Sequence, residues 1–357
     1  MELPWQDQAF HFRPELVTLT GESLFKLDPE LLEELASPRW QSPGGARRLD
    51  HLLDLIFGAK HQSFAYAGGH STVAAETWRL KRGDCLSLTV LTYAVARAMN
   101  MAPIMQEVEV SALYDRRGNL DFVNQHVNVL FRNARWNFYD TLGAAHDIVV
   151  DFEPEYGSSK PGRQLSEAAI LARFYNNLGV EHLAAGRNDL AYAHFKAAIT
   201  ADPHYAASYS NLAVLYRNGA NDRDAETLLK YAVALSDPPD VALRSMRQLL
   251  LDQGRTAEAS QYGKRLEALR DRDPYHWVGQ GLQRLQDGQY RQAAVDLEHA
   301  LTLANGFPEL HRYLAVAYWR LGNPARANEQ LAILESLDDR DPSVSALRSK
   351  FGRNPSR

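Results

Sequence analysis

The sequence predicts a chain of two parts, an α+β domain followed by an all-α solenoid of about five repeats. Two observations carry this prediction. Upstream of residue 170, segments with apolar residues at helical spacing come first and alternating, strand-like segments follow them; this order is typical of an α+β domain with an antiparallel sheet. Downstream, small residues recur at a fixed period of 34 residues, which is typical of stacked helix pairs.

Four helices are predicted before any long strand. They are "LDPELLEELA", "RRLDHLLDLIFGA", "STVAAETWRL" and "CLSLTVLTYAVARAMN". The fourth is apolar on nearly every side, so we expect it at the centre of the domain. "IMQEVEVSAL" and "HVNVLFRN" then alternate as strands do, and "DIVVDFEP" is a short apolar run typical of a buried strand.

Cys85 is the single cysteine of the chain and stands at the start of the fourth helix. A lone cysteine is most often an inert, buried, small hydrophobic residue. Here, however, Asp84 is a plausible N-cap, which places Cys85 in the first turn. The helix dipole and the unpaired N–H groups of that turn favour a thiolate and are expected to lower the pKa of the thiol.

A nucleophilic cysteine needs a base and a group that orients the base. His126 begins the alternating strand "HVNVLF", and two aspartates on the following segments are candidates for the orienting group. Asp151 ends the apolar run "IVVDF", whereas Asp140 lies in "RWNFYDTLG". We favour Asp151 because its strand is the more apolar, with Asp140 as the alternative.

Three positions repeat in register through the second part of the chain. A small residue recurs 34 residues apart at Ala191, Ala225, Ala259, Ala293 and Ala327. The turn between paired helices falls at Gly186, Ala220, Gly254, Gly288 and Gly322, where glycine suits a left-handed helix end. The third position is held by Ala198, Ala232, Leu266, Ala300 and Leu334. The third repeat departs most, with Gly263 and Leu266 at packing positions.

The predicted organisation is a cysteine domain over residues 1–156, a polar linker over 157–171, repeats over 172–341 and a tail over 342–357. In such a solenoid the first helices line a concave surface. Polar side chains expected on that surface could hold a peptide backbone or its carboxylates. They are Asn177, Asn211, Arg217, Arg244, Arg312 and Trp319.

The repeats resemble the tetratricopeptide repeat (TPR) family, in which this groove binds proteins or peptides. The entry "LKRGDCLSLTVLTYAVARAMN" with "QHVNV" resembles the transglutaminase-like cysteine superfamily, related in layout to papain. The ordered set "FKLDPELLEEL", "RGDCLSLT", "QEVEV", "HVNVLF", "VVDFEP" and "FYNNLGVEHLAAG" is similar to bacterial proteins that join such a domain to TPR repeats. The likeness spans roughly residues 20 to 341.

The resemblance implies a thiol-dependent acyl-transfer enzyme, either a peptidase or amidase or a transamidase, acting on a polypeptide recruited by the groove. Cys85 would be the nucleophile, His126 the base and Asp151 the orienting group. The alternative is a non-catalytic adaptor that keeps a degenerate cysteine domain. Relatives of this joined type are commonly exported, so the resemblance implies the periplasm. The opening residues carry no basic stretch and apolar core, which is expected either of a cytoplasmic protein or of a mature or truncated form of an exported one.

Composition excludes several classes of partner and of binding site. The 39 basic and 44 acidic residues give a net charge of −5, without a basic block, so nucleic acid is not expected. One cysteine excludes an intramolecular disulfide and zinc sites that need several thiolates. No histidine pair has metal-ligand spacing, and we expect no metal and no cofactor. No apolar run approaches the roughly 20 residues of a membrane span.

Overall fold

The computed structural model describes most of the chain and divides it into two compact units, Met1–Gly254 and Arg255–Arg357. The described residues are 3–37, 45–58, 64–67, 70–108, 113–117, 120–124, 126–134, 146–152, 163–236, 239–303, 308–337 and 342–351. The first unit therefore holds the predicted cysteine domain together with the first repeats.

Helices come first in the first unit. A short 3-10 helix, Pro14–Leu16, precedes them. They are α1 (Gly21–Phe25), α2 (Pro29–Leu35), α3 (Gly45–Phe57), α4 (Ala74–Leu80) and α5 (Cys85–Ala98). Side-chain caps fix several starts, because an oxygen from the preceding residue accepts an otherwise unpaired N–H of the first turn. Thr20 caps α1, Asp28 caps α2 and Asp84 caps α5 in this way.

The strands form one four-stranded antiparallel sheet and two small pairs. In chain order they are β1 (Ala65–Tyr66), β2 (Arg82–Gly83), β3 (Ile104–Glu107), β4 (Leu113–Arg117), β5 (Leu120–Asn124), β6 (Val127–Ala134), β7 (His146–Val150) and β8 (Arg163–Leu165). The main sheet has the order β7-β6-β3-β8, β4 pairs with β5, and β1 pairs with β2 in parallel. The antiparallel sheet predicted for this part of the chain is present among the described residues. The extra edge strand β8 falls inside the segment predicted as a linker.

The core of the first unit forms around α5. This helix packs against β6, and residues 85–96 are buried on all sides, as its uniformly apolar sequence predicts. Ile170 and Phe174, from the helix that opens the first repeat, belong to the same apolar cluster as Leu91 of α5 and Val129 of β6. The first repeat and the sheet are therefore parts of one core.

The repeats are helix pairs, as the period predicts. The helices are α6 (Glu167–Ala184), α7 (Asn188–Ala201), α8 (Ala206–Asn218), α9 (Asp222–Leu235), α10 (Asp240–Asp252), α11 (Thr256–Arg270), α12 (Pro274–Gln286), α13 (Tyr290–Leu303), α14 (Pro308–Arg320), α15 (Pro324–Leu337) and α16 (Pro342–Phe351). The recurring alanines at the first packing position are all at most 1% exposed. Their small size lets paired helices approach closely.

The turn position is left-handed in every repeat. The four glycines have φ between 70° and 73°, and Ala220 takes the same conformation at φ 59°. Glycine adopts this conformation without a steric penalty, whereas alanine does not. The geometry of the turn is therefore set by the helix pair, and the second repeat keeps this geometry although its turn residue is alanine.

Candidate functional site

Cys85 is the first residue of α5 and is 8% exposed. Its position is fixed by Asp84, whose Oδ1 accepts hydrogen bonds from the Ser87 amide at 2.7 Å and the Ser87 hydroxyl at 2.6 Å. A carboxylate in this position satisfies first-turn donors and anchors the start of the helix. The sequence prediction that Asp84 is the N-cap and that Cys85 lies in the first turn is confirmed.

The cap of α5 is tied to the first repeat. Asp84 Oδ2 accepts a hydrogen bond of 2.5 Å from the Ser71 hydroxyl. Ser71 Oγ in turn accepts a hydrogen bond of 2.9 Å from the side-chain amide of Asn177 in α6. Asn177 is one of the residues predicted for the peptide groove. Its amide here links the helix of the first repeat to the cap of the cysteine helix.

His126 and Asp151 are brought together by the pairing of β6 and β7. Val129 lies opposite Val150 in this antiparallel pair, so the next positions outward, Asn128 and Asp151, face each other. Residues two apart on a strand share a face, which adds His126 to the same patch. His126 Nε2–H donates to Asp151 Oδ1 at 2.6 Å, and the Asn128 amide donates to Asp151 Oδ2 at 2.9 Å.

The imidazole of His126 is enclosed. The residue is 2% exposed and its Nδ1 is buried, while its backbone carbonyl accepts the Val108 amide at 2.8 Å. A bond from Nε2 to a carboxylate fixes the tautomer and the ring orientation. Asn128 was not identified from the sequence. Its signal was its place two residues after His126 in an alternating strand.

The helix that begins with Cys85 meets the strand next to His126. The Thr89 hydroxyl donates to the Val127 carbonyl at 3.1 Å. Thr89 lies four residues beyond Cys85, hence on the same face and about 6 Å along the helix axis. The thiol and the imidazole therefore come from packed elements that touch one helical turn beyond the cysteine. Asp140, the alternative acid, lies outside the described residues.

Near the first repeat lies a buried ionic cluster, defined here as Glu107, Arg173, Asp202 and Tyr205. Arg173 is 3% exposed, donates to Glu107 Oε1 at 2.9 Å, and its guanidinium lies 4.4 Å from the centre of the Tyr205 ring. Burial raises the pKa of Tyr205 to about 12; Arg173 opposes this shift, and a negative charge on Cys85 adds to it.

Glu107 is ionised within this cluster. Burial alone would raise the pKa of its carboxyl, but Arg173 and Arg163 outweigh burial and hold the pKa below its usual value. Arg163 donates two bonds to Glu107 Oε2, at 2.8 and 3.1 Å. This cluster was not predicted from the sequence. Its one visible signal is Arg173, a charged residue inside the apolar stretch "AAILARFY".

The groove residues of the first unit make bonds within the chain. The Asn211 amide donates to Asn176 Oδ1 at 2.9 Å. Arg217 of α8 pairs with Asp252 of α10 at 2.5 Å, and Arg244 pairs with Asp240 one turn earlier at 2.9 Å. Arg217 is half-buried and Arg244 is exposed. Both guanidinium groups thus lie at the surface of first helices, and their contact with a peptide stays a prediction.

The groove residues of the second unit differ in exposure. Arg312 is half-buried and its guanidinium donates to the Tyr313 hydroxyl at 3.3 Å. Trp319 is 8% exposed and stacks on Phe351 of α16, with ring centres 5.2 Å apart. Its indole also lines a small pocket with Pro324, Asn328, Arg348 and Phe351. Most of the Trp319 surface packs inside the unit.

Two other features bear on function. Among the described residues, no group of three or more histidine, cysteine, aspartate or glutamate side chains is arranged to hold a metal ion. Within the same residues, no helix combines the length and the apolar character needed to cross a membrane.

Comparisons with known proteins match the repeats. Family models of the tetratricopeptide repeat match residues 172–205 and 284–351, so these segments are tetratricopeptide repeats, as the period predicted. No curated protein matches the chain. The resemblance of the first part of the chain to transglutaminase-like domains receives no support from these comparisons.

Several solved structures are similar to about half of the chain. Pseudomonas aeruginosa PilF is 19% identical over 53% of this chain and 86% of its own, with a TM-score of 0.28. YrrB, described as a TPR protein with an unusual peptide-binding site, is 17% identical over 50% and 92%, with a TM-score of 0.26. MamA from Desulfovibrio magneticus is 17% identical over 48% and 97%, with a TM-score of 0.26. At these identities and TM-scores the similarity carries no argument about function.

Proposed function

We propose that the chain is an adaptor that binds a protein or peptide partner through its tetratricopeptide repeats. The observation that carries this proposal is the run of helix pairs in one 34-residue register, with family matches at residues 172–205 and 284–351. Stacked helix pairs create an extended surface lined by equivalent positions of successive first helices, and such a surface suits an extended polypeptide.

The arginines of α8 and α10 support binding of an acidic segment. Arg217 and Arg244 hold Asp252 and Asp240 in pairs at the surface. An exposed ion pair contributes only about 0 to 1 kcal/mol, so each guanidinium can exchange its internal carboxylate for one of a bound peptide at little cost. Guanidinium groups also recognise carboxylates with two parallel bonds.

A selection from a displayed library of random peptides on the full-length chain tests this function. The peptides that are enriched are then measured by fluorescence anisotropy against the Arg217→Glu/Arg244→Glu double variant. We expect enrichment of acidic peptides and a loss of affinity of at least ~10-fold in that variant, because two attractive contacts become repulsive. The matched control is Arg223→Glu/Arg265→Glu, which reverses two exposed arginines of the second helices α9 and α11.

The two variants separate the possible outcomes. Loss of binding in the first variant alone supports the surface of α8 and α10. Equal loss in both variants would indicate a general charge effect and would contradict the proposed surface. Failure to enrich any peptide on the folded chain would count against the adaptor function itself.

A second candidate function is thiol-dependent acyl transfer, and a specific observation favours it. Asp151 accepts from both His126 and Asn128 while Cys85 begins the helix packed on the same strand. This arrangement supports the predicted roles of a nucleophile, a base and an orienting acid. It is also the part of the structure that supports the resemblance to transglutaminase-like and papain-like domains.

In this reaction the Cys85 thiol would lose its proton to His126 Nδ1, because Nε2 already donates to Asp151. The sulfur would attack an amide carbonyl, forming a C–S bond. Breakage of the C–N bond would release an amine that takes the proton from the imidazolium. Water or a second amine would then attack the thioester carbonyl, giving up a proton to His126, and breakage of the C–S bond would release the Cys85 thiolate, giving hydrolysis or transamidation respectively. The substrate would be a polypeptide that the repeats recruit.

Alkylation of the single cysteine tests this candidate directly. The rate with iodoacetamide is measured from pH 5 to pH 10 for the wild type and for His126→Ala. If His126 activates the thiol, the midpoint of the wild-type profile falls below the ordinary thiol value of about 8.5 and the variant moves toward it. Asn128→Ala should give an intermediate profile, because Asp151 loses the hydrogen bond from the Asn128 amide. An ordinary midpoint that does not respond to His126→Ala would leave the adaptor function alone.

A further inference from the structure

Residues Leu3–Phe12, which we call the strap, lie against the first two repeats. They form no helix or strand. Their turn is closed by backbone hydrogen bonds, from the Phe10 amide to the Gln6 carbonyl at 3.2 Å, from the His11 amide to the Gln8 carbonyl at 3.4 Å and from the Phe12 amide to the Asp7 carbonyl at 2.9 Å. The strap contacts side chains of α7, α8 and α9, all within the first unit. It therefore resembles a short peptide lying on a repeat surface.

The charged centre of this contact is Asp7. Lys196 Nζ donates to both of its carboxylate oxygens, at 2.6 and 2.8 Å, and the Tyr192 hydroxyl donates to Oδ1 at 2.7 Å. Burial alone would raise the pKa of Asp7, but these hydrogen bonds and the charge of Lys196 outweigh burial and lower it. The surface thus provides a dedicated site for one carboxylate.

Aromatic side chains surround that carboxylate. Phe10 stacks on Tyr192 with ring centres 4.7 Å apart and on Tyr216 at 5.9 Å. Trp5 and Phe12 meet the Tyr192 ring edge-on at 6.5 and 6.0 Å. The Lys196 ammonium lies 4.2 Å from the centre of the Phe12 ring and 5.1 Å from that of Trp5. Each contact combines apolar burial with a cation–π or aromatic interaction.

Side chains of the repeats also hold the backbone of the strap. The Tyr216 hydroxyl donates to the Pro4 carbonyl at 2.8 Å, and the Tyr192 hydroxyl accepts from the Gln6 amide at 2.9 Å. The Gln6 side chain in turn donates to Asp224 Oδ2 at 2.7 Å. Recognition of main-chain groups beside a few side-chain pockets is the usual way in which proteins bind extended peptides.

The cleft is formed by Tyr192, Lys196, Tyr216 and Asp224, and none of these is a predicted groove residue. The contacts of Asp7 are partly exposed: its side chain is 47% exposed and that of Lys196 19%. Such a pair contributes little to stability, so an external carboxylate can replace Asp7 at little cost, provided that the external segment also replaces the aromatic contacts of the strap. The specificity comes from the order of an aromatic residue, an acid and two further aromatic residues.

We propose that this cleft is a recognition site for a partner peptide with the same pattern. In that pattern an aromatic residue lies two positions before an aspartate, and two further aromatic residues lie three and five positions after it. The strap occupies the site as an intramolecular ligand. This inference rests on the proposed peptide-binding function and adds the location of a site and the chemistry of its partner. Because the strap competes at the high effective concentration of a tethered segment, a partner binds when it outcompetes the strap.

The test uses the full-length chain and a fluorescent peptide of residues 3–12, LPWQDQAFHF. The Asp7→Asn/Phe10→Ala variant of the chain weakens its own strap, and binding is followed by anisotropy. We expect saturable binding to this variant and at least ~10-fold weaker binding to the wild type, whose strap competes. Adding Lys196→Gln should reduce binding at least ~10-fold, since the carboxylate loses its charged partner. The matched control, Lys230→Gln, alters an exposed lysine of α9 and should leave binding unchanged.

Absence of binding to a folded strap-weakened variant would overturn the proposal and leave the strap as a purely structural segment. If that variant does not fold, hydrogen exchange of the wild-type chain decides. Excess free peptide should accelerate exchange of the Gln6, Phe10 and Phe12 amides while those of α7 keep their rates; no acceleration overturns the proposal. If peptides from the displayed library bind and this peptide does not, the inference fails while the adaptor function stands.

Discussion

The first and third repeats carry the same register but differ in how much they bury. In α7 of the first repeat, Phe195 is fully buried; the position 34 residues later is Leu229, and the next is Gly263 in α11. Gly263 is half-buried, and Ala259 is the only residue that α11 buries fully. The boundary between the two compact units falls after Gly254, between the helices of this third repeat.

The difference indicates what holds a helix pair together. A Cβ on Gly179 would lie 2.6 Å from the Phe195 ring, so α6 and α7 approach closely because a glycine faces an aromatic ring. The same device recurs in the fourth repeat, where a Cβ on Gly281 would lie 2.7 Å from Leu297. The third repeat has no large residue at this position. The 34-residue register therefore fixes where the two helices of a pair begin and end, and the large buried side chain at the position of Phe195 stabilises their packing.

The largest effect is expected from Phe195→Ala. Loss of a fully buried aromatic ring between closely packed helices should lower the free energy of unfolding of the first unit by about 3 to 5 kcal/mol. Urea denaturation followed by circular dichroism measures this change. Phe195→Leu, which introduces the residue found at this position in the second, fourth and fifth repeats, is the control and should cost less than about 1.5 kcal/mol. Equal losses in both variants would contradict the packing argument.

A substitution in the turn of the second repeat should have a smaller effect on stability, and of the opposite sign. Ala220 is left-handed at φ 59° where the other repeats have glycine. Ala220→Gly should therefore stabilise the first unit by about 1 kcal/mol, measured by the same denaturation. The reciprocal change, Gly186→Ala, should destabilise it by about as much. A Cβ at Gly186 meets nothing within 4 Å, so only backbone strain is tested. A loss of stability in Ala220→Gly would show that the alanine has another role.

Replacing Gly263, which stands in the third repeat where Phe195 stands in the first, should have a modest effect on the free energy of unfolding. Gly263 lies within α11, where glycine costs about 0.8 to 1 kcal/mol relative to alanine. Gly263→Ala should raise the free energy of unfolding of the second unit by that amount in thermal or urea denaturation. Ser260→Ala, in the same helix at an exposed position, controls for general helix propensity. An unchanged or lower stability of Gly263→Ala would indicate that the glycine is required for packing.

The repeats were predictable because their geometry is encoded locally. Paired helices demand a small residue at Ala191 and its equivalents and a left-handed residue at Gly186 and its equivalents, and these demands recur along the chain. The start of α5 was predictable for the same reason, since the Asp84 cap acts on the next three residues. Cys85, His126 and Asp151 lie at the ends of regular elements, as the alternation of the sequence predicted, and their catalytic roles stay a prediction.

The rest depends on pairings that no local pattern encodes. Asn128 reaches Asp151 because Val129 pairs with Val150, a register set by the whole sheet. Arg173 becomes buried because α6 contacts β8 at the edge of the sheet and the guanidinium reaches Glu107 on the neighbouring strand β3. The strap has no periodicity from which its place in the fold could be predicted. Its position follows from the tyrosines and the lysine of the repeats, about 180 to 210 residues away in sequence.

The smallest expected effect concerns pH and distinguishes the first repeat from the others. His182 and His194 lie with ring centres 4.8 Å apart. Burial, together with His194 and Arg187, lowers the pKa of His182 to about 4, and burial lowers the pKa of His194. Arg187 Nε donates to His182 Nδ1 at 3.0 Å, which requires the neutral ring. In the unfolded chain both rings titrate near 6.5.

Between pH 6.5 and about 4 the unfolded state therefore binds more protons than the folded state, and stability falls as pH falls. His182→Gln removes one of these sites, so its melting temperature should decrease less than that of the wild type between pH 7.5 and pH 5. The effect is small because His182 is only partly buried, and solvent screens its charge. His204→Gln, at an exposed histidine, should follow the wild type. If His182→Gln also followed it, protonation of the first repeat would not contribute to acid sensitivity.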